Sequence, residues 1–326
     1  FIFFFTKFRM NIGQYFNILD KPTKNKIHSE ITPLIGGFPI FFFSLILLFC
    51  FNFYEINKEL NYIVTLSSIF FFVGYLDDRY DINAYIKLIV SSLIILFVIN
   101  SIDNFIIKTL FFETFNKTIS LNVFSKAFSI LCILLLVNAL NLADGINGLA
   151  SGMASLWFCV IFIFSDFIEG RNIYLILAAI TLISSIFIYK GKYFLGDSGT
   201  LFLGSFVSLG FIYSYNVQFQ NEYIISAEKI FILFMIPGID MFRLFMLRII
   251  NRKDPFSGDL NHLHHLIHGY LGTGKTLSIY LILFLSTNYL SFFNILKPIT
   301  IIFSYLIIYV IFIILDKKFE FFKIKN

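Results

Sequence analysis

An all-α polytopic membrane fold with about 10–11 transmembrane helices is the architecture this sequence predicts, and three observations predict it. Of the 326 residues, 58% are hydrophobic and only 14% charged, whereas a soluble domain of this size is about a quarter charged. Roughly ten apolar runs succeed one another, each near the ~20 residues a helix needs to cross a hydrocarbon core. The polar residues are gathered into short segments between those runs rather than spread along them.

The elements follow in order. The chain opens with Phe1-Ile-Phe-Phe-Phe5, too short to span a bilayer. It reads as the tail of a first helix lost by truncation, or as a helix starting at the membrane edge. Residues 6–35 form a polar segment holding Asp20-Lys-Pro, Lys24, Lys26 and His28, ending in Pro33-Leu-Ile-Gly36-Gly37. Apolar runs follow over 36–53, 60–76 and 86–102, the second closed by Asp77-Asp78-Arg79-Tyr80-Asp81. A mixed loop over 103–122 precedes a run from Val123 that ends in Asn138-Ala-Leu-Asn141-Leu-Ala-Asp144-Gly-Ile-Asn147-Gly148. Runs over 149–165 and 173–189 come next, and Gly196-Asp197-Ser-Gly199-Thr200 forms a turn before the run 201–215. The run 230–247 holds Pro237, Asp240 and Arg243. A cytoplasmic loop over about 248–275 contains four of the five histidines, and runs over 276–293 and 299–315 close a single transmembrane domain spanning 1–326.

Composition narrows the class further. A net charge of +5 reflects basic residues on cytoplasmic loops rather than a nucleic-acid partner. Cys50, Cys132 and Cys159 all lie in apolar runs, with neither metal-ligand spacing nor a disulfide pattern. There is no cleavable signal sequence. When the spans are numbered alternately, every unusual polar segment falls on one side, together with most of the Lys and Arg residues. The positive-inside rule makes that side cytoplasmic.

Each polar cluster has a bland and a functional reading. Asp77-Asp78 either ends a helix in water or is held together by a divalent ion or a basic partner such as Lys87. Asn138 and Asn141 share a helix face and could simply pack helices; Asp144, Asn147 and the glycines beside them favour a site. Gly196 to Thr200 is either an ordinary helix cap or a place where free N–H groups receive an anion and Asp197 holds a metal ion. In Asn261-His262-Leu-His264-His265-Leu-Ile-His268, His264 and His268 have the i,i+4 spacing of zinc ligands, but no nearby Cys or Glu completes such a set. These imidazoles can instead grip phosphate or a nucleobase, and Arg243, Arg248, Arg252 and Lys253 read either as ordinary inside-positive residues or as a diphosphate clamp. Lys26 and His28 read as lipid-phosphate contacts or as ordinary inside-positive residues. Gly36-Gly37 permits close helix packing. Together the clusters describe a cytoplasmic-face site with carboxylates, cations and amides, suited to a divalent ion, a phosphorylated nucleotide and a lipid.

Taken in order, these motifs resemble the polyprenyl-phosphate N-acetylhexosamine-1-phosphate transferase family. The similarity covers Asp20 to His268 through Asp20-Lys-Pro and His28, Gly74-Tyr-Leu-Asp77-Asp78 with Lys87, Asn138 to Gly148, Gly196-Asp197-Ser-Gly199, and Pro255-Phe256, Asp259 and His262-Leu-His264-His265. The last motif is similar to the N-acetylglucosamine-1-phosphate branch rather than to the pentapeptide translocases, which stand as the alternative. The resemblance implies Asp77 and Asp78 as the catalytic pair and Asp197 and Asp144 as metal ligands. It also implies Asn138, Asn141, Asn147, Lys87, Arg243, His262, His264 and His265 on the nucleotide and phosphates. Mg²⁺ is the implied cofactor, with Mn²⁺ as a substitute. Asn147 departs from the family, which usually has a second Asp there.

The implied reaction moves a sugar-1-phosphate from a UDP-sugar to a polyprenyl phosphate with release of UMP, at the cytoplasmic face of a bacterial inner membrane. The implied partners are those two substrates and the lipid bilayer, with a homo-oligomer as an option. A CDP-alcohol phosphotransferase also has an Asp-Gly membrane motif, but its further acidic residues are absent after Gly148. A transporter would need broken helices and charges at mid-span. A non-catalytic relative would not retain the main acidic residues.

Overall fold

The computed structural model describes residues 1–22, 30–52, 58–165, 168, 170–220, 225–256 and 261–319. Among them the fold is almost wholly helical, and each apolar run lies in a helix. The chain divides into two compact units, one made of Phe1–Ile107 with Lys126–Asn221 and the other of Lys108–Ser125 with Glu222–Asn326.

The first unit begins with α1 (Ile2–Lys7) and α2 (Arg9–Phe16), then the antiparallel pair β1 (Leu19–Asp20) and β2 (Thr32–Pro33). The expected polar segment over 6–35 therefore holds regular structure. Asn17 turns left-handed at φ 56° and ends α2, which lets Leu19 pair back against Pro33. Membrane helices α3 (Gly37–Asn52), α4 (Lys58–Tyr80), α5 (Ala84–Ser101), α6 (Ser125–Ala143), α7 (Leu149–Phe164), α8 (Asn172–Tyr189) and α9 (Gly196–Gln220) complete it. Helix α9 is the centre: 89% of its apolar window is buried, against 22% for α5.

The two central helices, α4 and α9, run antiparallel, and glycine sets their approach. A Cβ on Gly74 would stand 2.2 Å from the carbonyl oxygen of Asp197; at the start of α3, which also packs on α9, one on Gly37 would stand 2.5 Å from the Cα of Gly199. Main chain packs on main chain here, the small-residue contact that membrane helices use where no solvent drives them together. At the other end of the same helices, Asn104 donates to Glu59 at 3.0 Å and Asn216 donates to the carbonyls of Asn104 and Ile106. The polar motifs thus gather at one end of the unit and these amides at the opposite end. The interior between them is aromatic, with Phe41 stacked on Phe71 at 3.9 Å between ring centres.

The second unit contains a hairpin, β3 (Thr109–Phe112) and β4 (Lys117–Ser120), and helices α10 (Ala227–Ile250), α11 (Leu263–Phe292) and α12 (Pro298–Phe319). The hairpin lies in what the sequence suggested was an irregular loop. Its turn is fastened to the start of α10, where the buried Glu228 carboxylate accepts the N–H groups of Glu113 and Thr114 at 2.7 and 3.3 Å. Helix α11 starts at Leu263, so His264, His265 and His268 are helical, and it kinks at Gly272, where φ is 73°. Among the described residues, six helices are long and apolar enough to cross a membrane, and α3, α7 and α12 hold shorter apolar stretches. This is a multi-pass membrane architecture.

Candidate functional site

In the first unit the site is built around the start of α9. A helix N-terminus leaves N–H groups without partners in the helix. Here the chain's own carboxylates take them. Asp78 accepts the N–H of Asp197 at 2.8 Å with one oxygen and that of Ser198 at 2.9 Å with the other. The Gly196 N–H is directed at Asp144. Gly196 has φ 75°, and a Cβ there would come within 2.8 Å of the Asp78 carboxylate, so only glycine brings the chain this close to Asp78. Residues 196–200 are thus the first turn of the helix rather than a turn before it. Of the two readings of this segment, the structure shows the helix cap for these N–H groups, which Asp78 and Asp144 accept.

Asp77 and Asp78 occupy the last turn of α4. Asp81 is left-handed at φ 53°, which reverses the chain within three residues, and Asn83 caps α5 by accepting the Tyr85 N–H at 2.9 Å. This short reversal carries Lys87 back to the carboxylates. Its ammonium donates to Asp77 Oδ2 and, at 3.0 Å, to Asp197 Oδ2. The other oxygen of Asp77 accepts the Ile82 N–H at 2.7 Å. Lys87, expected on phosphate, therefore bridges two carboxylates.

Asn141 donates to Thr200 Oγ1 at 3.1 Å and stands beside the Asp197 carboxylate. Asp144, just past the end of α6, has its carboxyl held well above the ordinary range by burial first, then by the Asp197 and Asp78 charges. A divalent ion would reverse that repulsion, so a carboxylate cluster with one ammonium fits such an ion. Asn138 does not join the cluster through its amide nitrogen, which donates to the Leu134 carbonyl one turn back at 2.7 Å. Asn147 stands half-buried in the turn that ends at Gly148, where φ is 88°.

The second unit holds the other expected residues, organised by one that sequence reasoning left off the candidate site. Asp240 is buried in α10 and accepts four donors. Tyr309 Oη and Arg243 Nη2 reach one oxygen at 2.6 and 3.0 Å; His262 Nδ1 and the Leu263 N–H reach the other at 2.9 and 3.0 Å. Arg243 also donates to Tyr309 Oη at 2.7 Å and to the Asn261 carbonyl at 2.6 Å. The Tyr309 contact joins α10 to α12, across 66 residues of sequence. A carboxylate inside an apolar helix was the available signal for Asp240; Tyr309 gave none.

His262, His264 and His265 are all buried, with ring centres of His264 and His265 4.3 Å apart and those of His262 and His264 5.4 Å apart. Burial, and then His265 and His262 beside it, hold His264 well below the ordinary imidazole range, and so neutral. His268 pairs instead with Thr273 Oγ1 at 3.1 Å. Lys26, His28 and Asp259 lie outside the described residues.

Comparison with known proteins agrees with the resemblance read from the motifs. Residues 60–215 match the family model of glycosyl transferase family 4. Over 283 residues the chain is 28% identical to an undecaprenyl-phosphate alpha-N-acetylglucosaminyl 1-phosphate transferase of Thermotoga maritima, covering 85% of this chain and 82% of that protein. It is 28% identical to the protein of the same name in Escherichia coli K12 over 280 residues, covering 82% of this chain and 72% of the relative. A probable undecaprenyl-phosphate N-acetylglucosaminyl 1-phosphate transferase of Bacillus subtilis is 24% identical over 307 residues, 91% of this chain and 82% of the relative.

Proposed function

We propose that this chain is a glycosyl transferase family 4 protein that moves an N-acetylhexosamine-1-phosphate from a UDP-sugar to a polyprenyl phosphate, releasing UMP. The observation that carries the reading is the gathering of Asp77, Asp78, Asp144 and Asp197 around the start of α9, with Lys87 among them. The relatives' names, which specify N-acetylglucosaminyl 1-phosphate and undecaprenyl phosphate, support the transferred group and the lipid acceptor.

The reaction joins two anions, a lipid phosphate oxygen and the sugar-linked phosphorus of the donor. Each pair of unit charges about 4 Å apart repels by roughly 4 kcal/mol at an effective dielectric of 20. The residues proposed to hold Mg²⁺ are Asp197 and Asp144, beside Asp77. When bound, the ion supplies charge neutralisation and polarises phosphoryl oxygens. Asp78 holds the first turn of α9, and with it the Asp197 backbone, in register. Lys87 holds Asp77 and Asp197 together. Asp77 is the carboxylate proposed to take a proton from, or orient, the acceptor phosphate. Asn141 and Asn147 are assigned to the nucleotide side, and Arg243, His262, His264 and His265 to phosphate binding in the second unit. One phosphoanhydride forms as another breaks, so the reaction runs in both directions.

In a bacterial cell the site faces the cytoplasm of the inner membrane, on the side where basic residues collect. The product would enter cell-envelope polysaccharide or lipopolysaccharide synthesis. The test is transfer of radiolabelled sugar from a panel of UDP-sugars to undecaprenyl phosphate by detergent-purified protein. A UDP-N-acetylhexosamine should label the lipid and release UMP, EDTA should stop transfer, and Mg²⁺ should restore it. Efficient use of UDP-MurNAc-pentapeptide would refute the branch, and absence of UMP release would refute the reaction.

A further inference from the structure

We propose that His262 and His264 form a binding site for a borderline divalent cation of the zinc, cobalt or nickel class, separate from the carboxylate cluster of the first unit. Two observations carry this. The rings of His262 and His264 lie 5.4 Å apart between centres, one ligand atom from each comes within 4.8 Å of the other and of an Asp240 oxygen, and all three residues are buried. The Nε2 atoms of His262 and His264 are buried too, and among the described residues neither has a hydrogen-bond partner. Buried polar atoms are rarely left so, and two in neighbouring rings need one common explanation.

The donor set selects the ion. Imidazole nitrogen suits zinc, cobalt and nickel, whereas Mg²⁺ takes oxygen and keeps its waters. Asp240 does not need to be a direct ligand, since both its oxygens are engaged by Tyr309, Arg243, His262 and the Leu263 N–H. It stands behind the site: by accepting the Nδ1 proton of His262 it turns the Nε2 atom of that ring away from itself. Metal-bound histidines nearly always have such a partner at their other nitrogen, and losing it typically costs 10–100-fold in affinity. Two protein ligands leave coordination positions open to water or to a phosphate oxygen.

The inference stands whether or not the protein is a transferase. Its test is metal binding by purified protein without a polyhistidine tag, dialysed against Co²⁺ or Zn²⁺ and analysed for bound metal and for the visible absorption of Co²⁺. About one nitrogen-ligated ion per chain is expected. His262→Ala and His264→Ala should each lose it. Asp240→Asn should weaken it 10–100-fold, and Asp197→Asn should leave the Co²⁺ spectrum unchanged. If one histidine variant fails to fold, the other decides. Less than about a tenth of an ion per chain, or a spectrum that survives the folded histidine variants or vanishes in Asp197→Asn, would overturn the proposal.

Discussion

Asp78 accepts the main-chain N–H of Asp197 at 2.8 Å across the interface between α4 and α9. Two adjacent aspartates therefore do different work. Asp77 faces Lys87, while Asp78 clamps the helix that presents Asp197. Asp78→Asn would turn an amide N–H₂ toward one of two backbone N–H groups. The variant should lose at least 100-fold in transfer and also melt earlier, since an unsatisfied buried donor costs about 1–3 kcal/mol. Asp197→Asn keeps its own N–H, so it should lose transfer while melting close to wild type. Equal melting temperatures for wild type and Asp78→Asn would remove the clamping role.

Gly74→Ala tests the crossing itself. Its Cβ would meet a carbonyl oxygen at 2.2 Å, so the two helices must part. Overpacking costs typically 1–3 kcal/mol, and a contact with rigid main chain belongs at the upper end. Gly238→Ala is the control, because nothing lies within 4 Å of its added methyl and alanine is the better helix former by ~1 kcal/mol. Detergent melts should show the first variant well below wild type and the second at or above it. Equal melts would mean that the crossing tolerates separation.

Lys87→Met removes the cation shared by Asp77 and Asp197. Transfer should fall at least 100-fold. In EDTA the variant should be less stable than wild type, and Mg²⁺ should raise its melting temperature by more than it raises that of wild type, since the ion then supplies the missing positive charge. An identical Mg²⁺ response in both proteins would argue against a shared counter-charge role.

Asn147 retains the size of Asp and a carbonyl acceptor but lacks the charge. If it shapes the turn before Gly148 or hydrogen-bonds the nucleotide, Asn147→Asp should change the transfer rate by less than about tenfold, or ~1.4 kcal/mol. An inert wild type that Asn147→Asp switches on would make the position a charged catalytic one.

The helices were legible because each apolar run had to be satisfied by its own backbone bonds in a bilayer. The hairpin 109–120 was not, since its four-residue strands show little alternation and its fastening point, Glu228, lies more than 100 residues away. Asp77, Asp78, Asp144 and Asp197 stood out as charge at helix ends, and the fold does bring them together. Helical spacing put Asn138 on a face with Asn141 without revealing that its amide nitrogen donates back to the Leu134 carbonyl. Asp240 was visible as an intramembrane charge, but what it organises depends on Tyr309 in another helix, a pairing with no local signature.

The contact between Gly74 and the Asp197 carbonyl has a genetic consequence. When a bulky substitution clashes with a side chain, a smaller residue on the facing helix can relieve it. Here the facing atom is a carbonyl oxygen, which every amino acid possesses, and at Gly37 it is the Cα of a glycine that has nothing left to shed. Second-site suppressors of Gly74→Ala should therefore never map to position 197 as a change of side-chain size. They should arise, if at all, at residues that let a whole helix translate, so a suppressor screen would trace the paths along which α4 and α9 can slide.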